Sequence, residues 1–68
     1  MPSTAIRDFS YDETARRLTI TFVSGRRYVY DDVPSDVFDA FTRADSRGGF
    51  FNRDIRDRYH YREIARHE

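Results

Sequence analysis

The sequence predicts an α+β fold, in which a three-stranded antiparallel β-meander packs against one or two C-terminal helices. In the first half of the chain, apolar and polar residues alternate with the period of two that strands require. In the second half, apolar residues recur at spacings of three and four, as in an amphipathic helix. The chain has 68 residues, the size of one small domain, and we assign residues 1–68 to it.

Three strands are predicted in the first half of the chain, at about residues 4–11, 17–23 and 26–31. In the first strand, Ile6 is out of phase with Phe9 and Tyr11, which indicates a bulge or a bend. The second strand has the clearest alternation, and its apolar face consists of Leu18, Ile20 and Phe22.

The hairpin between the second and third strands determines where Tyr28 and Tyr30 point. A two-residue loop, Ser24-Gly25, would turn both rings away from the apolar face of the second strand and leave them exposed. A three-residue loop at residues 23–25, with a left-handed Gly25, would place both rings on that apolar face. A shift of a single residue moves every side chain to the other face. We expect the three-residue loop, because Ser-Gly is a weak two-residue turn and so small a core needs the apolar area.

Two helices are predicted in the second half, at about residues 34–44 and 48–58. Pro34 suits the first helical position, where its missing N–H costs nothing. Alternatively, Ser35 caps the N-terminus of that helix. Ser46 is placed to cap the second helix in the same way.

The residues that follow the second predicted helix stay unassigned. Tyr59 and Tyr61 alternate as in an extended chain, whereas the segment from Tyr61 to Ile64 is also compatible with a helix.

The composition excludes several classes of function. With no Cys, the chain has no disulfide framework, thiolate metal site or thiol nucleophile. It contains no apolar run near the ~20 residues that a membrane span needs, and its start lacks the apolar stretch of a signal peptide. We therefore expect a cytoplasmic protein without a membrane partner. All 12 basic residues are Arg, which fits either codon bias or selection for planar recognition of phosphate and carboxylate.

No constellation for catalysis or metal binding is evident. The two histidines, His60 and His67, are not accompanied by ligands at metal-binding spacing, and no Ser has the surroundings of a nucleophile. The pair Asp31-Asp32 is typical of a solvated loop. The segment 46–49 resembles a short anion site at a helix start, but it lacks a full Gly-rich loop, and we favour the interpretation that Ser46 is a cap followed by glycines that allow close helix packing. We expect no catalytic residue, metal or cofactor, and no enzymatic activity.

The zero net charge conceals an uneven distribution of acidic and basic residues along the chain. Residues 31–39 contain four Asp and no Arg, whereas residues 43–66 contain seven Arg against four acidic residues, an excess of three. Arginines interleaved with aromatic residues suit single-stranded nucleic acid, through phosphate neutralisation and base stacking. The alternative is that pairs at i, i+4, such as Arg53–Asp57 and Asp54–Arg58, solvate a helix face.

An ordered series of residues carries a resemblance to a known family. The series comprises Ser3, Ile6, Tyr11-Asp12, Leu18, Ile20, Phe22, Gly25, Tyr28-Val29-Tyr30, Val33-Pro34, Ala44, Ser46, Gly48, Phe50-Phe51-Asn52 and Ile55-Arg56. It resembles the KTSC domain, a short module found at the C-terminus of some lysyl-tRNA synthetases and as a free-standing bacterial protein. The association with a synthetase implies RNA binding. Carried over by position, Tyr28 and Tyr30 are the candidate contact residues, and Arg56 also lies on the family pattern.

Two functions are compatible with these observations. In the first, the chain is a non-catalytic module that binds RNA or single-stranded nucleic acid through Tyr28, Tyr30, Arg47, Arg53, Arg56 and Arg58. In the second, it is a protein-interaction module that uses a sheet edge or the acidic 31–39 patch. A three-stranded sheet leaves an edge open, so we expect a monomer or a weak homo-oligomer.

Overall fold

The computed structural model describes residues 6–64 of the chain. The start of the first predicted strand, Thr4 and Ala5, and one of the two histidines, His67, lie outside this range. The elements in chain order are β1 (Ile6–Asp12), β2 (Arg17–Phe22), β3 (Arg27–Tyr30), α1 (Ser35–Arg43), α2 (Arg47–Phe50), a π-helical turn (Phe51–Ile55) and β4 (Tyr61–Ile64). No helix in this range is long and apolar enough to cross a membrane.

The sheet is antiparallel and has four strands in the order β1-β2-β3-β4. The α+β class is as predicted, but the prediction of three strands is wrong. The fourth strand, β4, pairs with β3, so that Tyr61 lies opposite Tyr30 and Glu63 lies opposite Tyr28. Three of its four residues are exposed, and an edge strand held by backbone hydrogen bonds does not need the apolar alternation by which strands are found in a sequence.

The predicted irregularity of β1 is confirmed. Its register against β2 shifts between Ile6 and Asp8, which inserts Arg7 as the extra residue of a bulge. Because of this extra residue, Ile6 pairs with Phe22 while Phe9 pairs with Ile20. The bulge therefore returns Ile6 to the apolar face despite its spacing in the sequence.

The three-residue loop between β2 and β3 is also confirmed. The amide of Phe22 donates to the carbonyl of Arg26 over 2.9 Å, and the amide of Gly25 donates to the carbonyl of Phe22 over 2.8 Å. Gly25 has a φ of 94°, which glycine adopts without steric cost. In this register Tyr28 lies opposite Ile20 and Tyr30 lies opposite Leu18, so both tyrosines belong to the apolar face.

The start of α1 differs from both predicted alternatives. Pro34 precedes the helix as its N-cap with an extended backbone, and Ser35 is the first helical residue without acting as a side-chain cap. The amides of Val37 and Phe38 both donate to the Pro34 carbonyl, and this satisfies groups that a cap side chain would otherwise bond. The predicted cap of the second helix is confirmed, since Ser46 Oγ accepts from the amide of Gly49 at 3.1 Å.

The second helix changes its winding part of the way along. After α2 it continues as the π-helical turn Phe51–Ile55, in which the amide of Arg56 donates to the carbonyl of Phe51 over 2.8 Å. The predicted i, i+4 pairing of Arg53 with Asp57 is replaced by a contact between Arg53 and Asp54 at 3.2 Å. The wider π turn alters the spacing on which that prediction depended.

Both helices pack on one face of the sheet. The buried core joins residues of β2, β3, the segment before α1, α1 and the π turn: Leu18, Ile20, Tyr30, Val33, Phe41, Phe51 and Ile55. Aromatic rings of β1 close one end of this core, where Phe9 contacts Phe41 with ring centroids 5.0 Å apart. The strands present mainly polar residues on the other face of the sheet. An exposed aromatic residue, Tyr61, lies on the edge strand β4.

Candidate nucleic-acid interface

Three tyrosines meet where β3 pairs with β4, and we call Tyr28, Tyr30 and Tyr61 the tyrosine platform. The Tyr61 ring stacks on Tyr30, with centroids 5.3 Å apart and planes inclined by 29°. Its centroid lies 5.7 Å from that of Tyr28 in a tilted arrangement. Tyr61 remains 50% exposed, so one side of its ring rests on protein while the rest is open to solvent.

Tyr30 forms the inner layer of the platform. It is 3% exposed, and its ring meets Phe51 edge-on at 5.3 Å. Burial, and next the neighbouring Tyr61, raise the pKa of Tyr30 to about 12. A ring buried to this extent has no open face for a base, so Tyr30, a predicted contact residue, serves here as the support of the Tyr61 ring.

Tyr28 is half-buried and lies between Tyr61 and the core. Its ring meets Phe22 edge-on at 5.6 Å, and Phe22 in turn meets Phe51 at 5.6 Å. This chain of ring contacts fixes the platform to the core, and it leaves Tyr28 able to contribute its edge and hydroxyl group to a bound molecule.

An arginine and a glutamate lie beside the platform. Arg26 Nε is 3.9 Å from Glu63 Oε2, and these side chains are 66% and 47% exposed. A side-chain hydrogen bond to Tyr28, and next the Glu63 carboxylate, raise the pKa of Arg26 above its ordinary value. Arg26 therefore stays charged beside both Tyr28 and the Glu63 carboxylate.

Of the four predicted arginines, Arg56 is the one for which the structure gives a contribution to the platform. Its charge acts on Tyr30, where it opposes the effect of burial on the tyrosine pKa. Its guanidinium group also donates to Asn52 Oδ1 at 3.3 Å. Arg58 is exposed at the end of the same segment, and its amide donates to the Ile55 carbonyl at 3.1 Å.

The other two predicted arginines lie elsewhere on the molecule. Arg47 sits over the Phe9 ring at 5.3 Å, and Phe9 belongs to β1, which lies three strand spacings, or about 14 Å, from β4. Arg53 sits over the Phe50 ring at 5.8 Å and lines a groove of about 460 Å³ between α1 and α2. The predicted site residues are thus not brought together as one set.

The most exposed member of the platform, Tyr61, was not predicted from the sequence, and neither were its charged neighbours Arg26 and Glu63. One signal could have found Tyr61, namely its alternation with Tyr59, which is typical of an extended chain. Had this segment been taken as a strand beside β3, Tyr61 would have been placed next to Tyr28 and Tyr30. No comparable signal marks the pairing of Arg26 with Glu63.

The predicted acidic patch, residues 31–39, is divided in the structure. The Asp31 carboxylate lies 3.6 Å from Arg17, 3.5 Å from Arg62 and 3.4 Å from His60, so its charge is largely compensated. Asp36 and Asp39 are exposed on α1, near a different part of the surface. Within residues 6–64, no group of three or more His, Asp or Glu side chains is placed to hold a metal ion.

A four-stranded meander with its helices on one face and an aromatic platform at its last strand defines a class of small α+β module. The KTSC domain family model matches residues 2–59, and the chain belongs to the KTSC domain family. The resemblance inferred from the sequence is thereby confirmed. The structure is similar to the crystal structure of a KTSC domain protein from Yersinia pestis, with a TM-score of 0.86 and 31% identity over 96% of this chain and 94% of that one.

Relatives of the chain are of two kinds. A protein from Stutzerimonas stutzeri is 37% identical over 62 residues, which is 91% of this chain and 86% of the relative. The lysine–tRNA ligase of Nostoc punctiforme is 35% identical over 60 residues, which is 88% of this chain. The chain spans 11% of the length of that ligase. The same domain therefore occurs in short proteins and as a small part of a synthetase.

Proposed function

We propose that this KTSC domain is a non-catalytic module that binds single-stranded RNA through the tyrosine platform, with Arg26 and Arg56 as its phosphate contacts. The observation that carries the proposal is the ring of Tyr61, half-exposed and backed by Tyr30. A rigid aromatic ring at a surface is a stacking site for an unpaired base, and each such contact contributes about 1–3 kcal/mol.

The charges around the platform favour a weak and local interaction. Arg26 lies beside Glu63 next to the platform and the Arg56 charge acts on Tyr30, while the chain as a whole has zero net charge. Without a global positive potential, non-specific attraction to a polyanion is small. Two phosphate contacts on a single strand would give a slope of log affinity against log salt of about −1.4.

The proteins in which similar domains occur also support an RNA ligand. The lysine–tRNA ligases that carry a similar segment act on tRNA, as their name states. A module that contacts an unpaired stretch of RNA would add affinity to such an enzyme without taking part in its chemistry. The short relatives would bind RNA by the same surface.

The test is an NMR titration of the protein with a single-stranded RNA pentanucleotide at low and high salt. We expect shifts at Tyr28, Tyr61 and Arg56 that weaken as salt is added. Tyr61→Leu removes the ring but keeps an apolar contact to Tyr30, and it should weaken binding about tenfold. Tyr61→Phe is the matched control, since it keeps the ring, and it should bind like the wild-type protein.

A second pair of variants compares Arg56, whose charge acts on the platform, with Arg47, which lies away from it, by the dependence of binding on salt. Arg56→Gln should reduce the salt slope by about 0.7. Arg47→Gln removes the same charge from α2, where Arg47 lies over Phe9 of β1 at the far side of the fold, and it should leave the slope unchanged. An absence of shifts at low salt, or equal losses in Tyr61→Leu and Tyr61→Phe, would refute the proposal.

A protein-interaction module is the second candidate. The observation that favours it is that, within residues 6–64, β1 pairs with β2 alone, so its other edge can accept a strand from a partner or a second copy. Light scattering over a range of protein concentrations tests self-association. A protein that stays monomeric and also binds no RNA would direct attention to a different protein partner at this edge.

A further inference from the structure

We propose that the tyrosine platform selects guanine, through the Arg26–Glu63 pair beside it. This inference rests on the proposed function, because it assigns a base preference to the same surface. Three features suit the pair to this role: its position beside Tyr61, the hydrogen-bonding groups that it presents, and the loose contact between its two side chains.

The strand geometry brings the pair within reach of a base on Tyr61. Tyr61 and Glu63 are two residues apart on β4, so their side chains leave the same face and their Cα atoms are about 6.8 Å apart. Glu63 lies directly across from Tyr28, whose ring is in contact with Tyr61. A base that stacks on the open side of Tyr61 can therefore extend its pairing edge toward Glu63 and Arg26.

The pair presents hydrogen-bonding groups in an order that fits one base. Arg26 has several N–H donors, so it can contact a phosphate and still offer a donor to a base, and the adjacent Glu63 carboxylate offers acceptors only. Guanine has the complementary edge, a keto oxygen followed by an imino and an amino donor. Adenine and cytosine each have one amino donor beside a bare ring nitrogen, and the lone pair of that nitrogen is repelled by a carboxylate. Uracil has a single imino donor between two keto oxygens, so it can give the carboxylate only one hydrogen bond.

The two side chains are joined loosely enough to accept a ligand. The closest distance between them, 3.9 Å from Nε to Oε2, is longer than a hydrogen bond. The outer guanidinium nitrogens and both carboxylate oxygens keep bonding capacity for a base, and both side chains are partly exposed. A carboxylate beside an RNA-binding surface also repels phosphate, so its contribution is to specificity rather than to affinity.

Fluorescence anisotropy with labelled pentanucleotides tests the preference. The probes are oligouridine with a central guanosine, inosine, adenosine, cytidine or uridine. Inosine lacks the amino group of guanosine and leaves the rest of the base unchanged. We expect the guanosine probe to bind about tenfold more tightly than the others, as one bidentate contact allows.

Glu63→Gln is the decisive variant, because its amide has one acceptor where the carboxylate has two. We expect the ratio of guanosine to inosine affinity to fall close to one in this variant. The matched control is Glu13→Gln, which removes the same charge from the turn after β1 and should keep the ratio.

The outcomes distinguish this inference from the function on which it rests. Equal binding of all five probes to the wild-type protein would overturn the guanine preference and leave RNA binding standing. Tighter binding of another base, or an unchanged ratio in Glu63→Gln, would also overturn it. If none of the probes binds at low salt, both proposals fail.

Discussion

The hydroxyl group of Tyr11 donates a 2.6 Å hydrogen bond to the carbonyl of Val33, a residue 22 positions further along the chain. This bond joins β1 to the buried segment that leads into α1. The Val33 amide is also bonded, since it donates to the carbonyl of Arg16 at 3.0 Å. Both polar groups of a fully buried residue are thus satisfied by the first β-hairpin.

Tyr11→Phe should destabilise the protein because it leaves the Val33 carbonyl without this partner. The expected loss in the free energy of unfolding is about 1–2 kcal/mol, measured by urea denaturation. Tyr61→Phe is the control, since it removes a hydroxyl group from a half-exposed ring and should change stability by less than about 0.5 kcal/mol. Equal effects of the two substitutions would contradict this role for the Tyr11 hydroxyl.

Gly25→Ala should destabilise the β2–β3 hairpin, because a φ of 94° is unfavourable for a residue with a side chain. We expect a loss of about 1–2 kcal/mol. Gly48→Ala is the opposite case, since Gly48 lies within α2, and it should stabilise the protein by about 0.4–1 kcal/mol. Thermal denaturation of both variants measures the contrast, and a stable Gly25→Ala protein would count against the three-residue loop.

Ser46→Ala should lower stability by about 1 kcal/mol, because the Gly49 amide loses the side-chain oxygen that caps α2. Ser46→Asp restores an acceptor and should recover most of the loss. Urea denaturation of the two variants is the measurement. If Ser46→Asp is no more stable than Ser46→Ala, the cap contributes less than its geometry implies.

Tyr30 should make the protein sensitive to alkali. Its pKa is raised from 10.0 to about 12 by burial, so the folded state binds the phenol proton more tightly than the unfolded state. This contribution to stability is complete below pH 10 and is lost as pH rises toward 12. Denaturation across this range, compared with Tyr30→Phe, measures it, and the variant should decline less steeply. Parallel declines would exclude Tyr30 as the cause.

The parts of the fold that were predictable are those governed by local rules. The positions of Gly25 and of the alternating residues around Ile20 were enough to predict the hairpin register. Ser46 was identified as a cap because a hydroxyl group before a helix has a defined role. An irregularity in β1, a bulge or a bend, followed from the spacing of Ile6, because Ile6 is out of phase with Phe9 and Tyr11; the structure shows that it is a bulge at Arg7.

The parts that were missed depend on contacts between distant segments. β4 is defined by its hydrogen bonds to β3, and Tyr61 gains its packing from Tyr30 rather than from neighbours in sequence. The π turn that buries both Phe51 and Ile55 also follows from packing against the sheet. The sequence therefore predicted Tyr28 and Arg56 as members of the candidate site. It did not predict Tyr61, the member of the tyrosine platform that is most exposed.

The attachment of β4 has a dynamic consequence. At one end Asp31 holds it, through Arg62, His60 and a 2.8 Å bond from the Asp31 amide to the His60 carbonyl. At the other end it is held by the Arg26–Glu63 pair. Exposed ion pairs contribute less than about 1 kcal/mol each and weaken with salt. Hydrogen exchange at β4 amides should therefore proceed by local opening while the core stays closed, and a ligand on Tyr61 should slow that exchange.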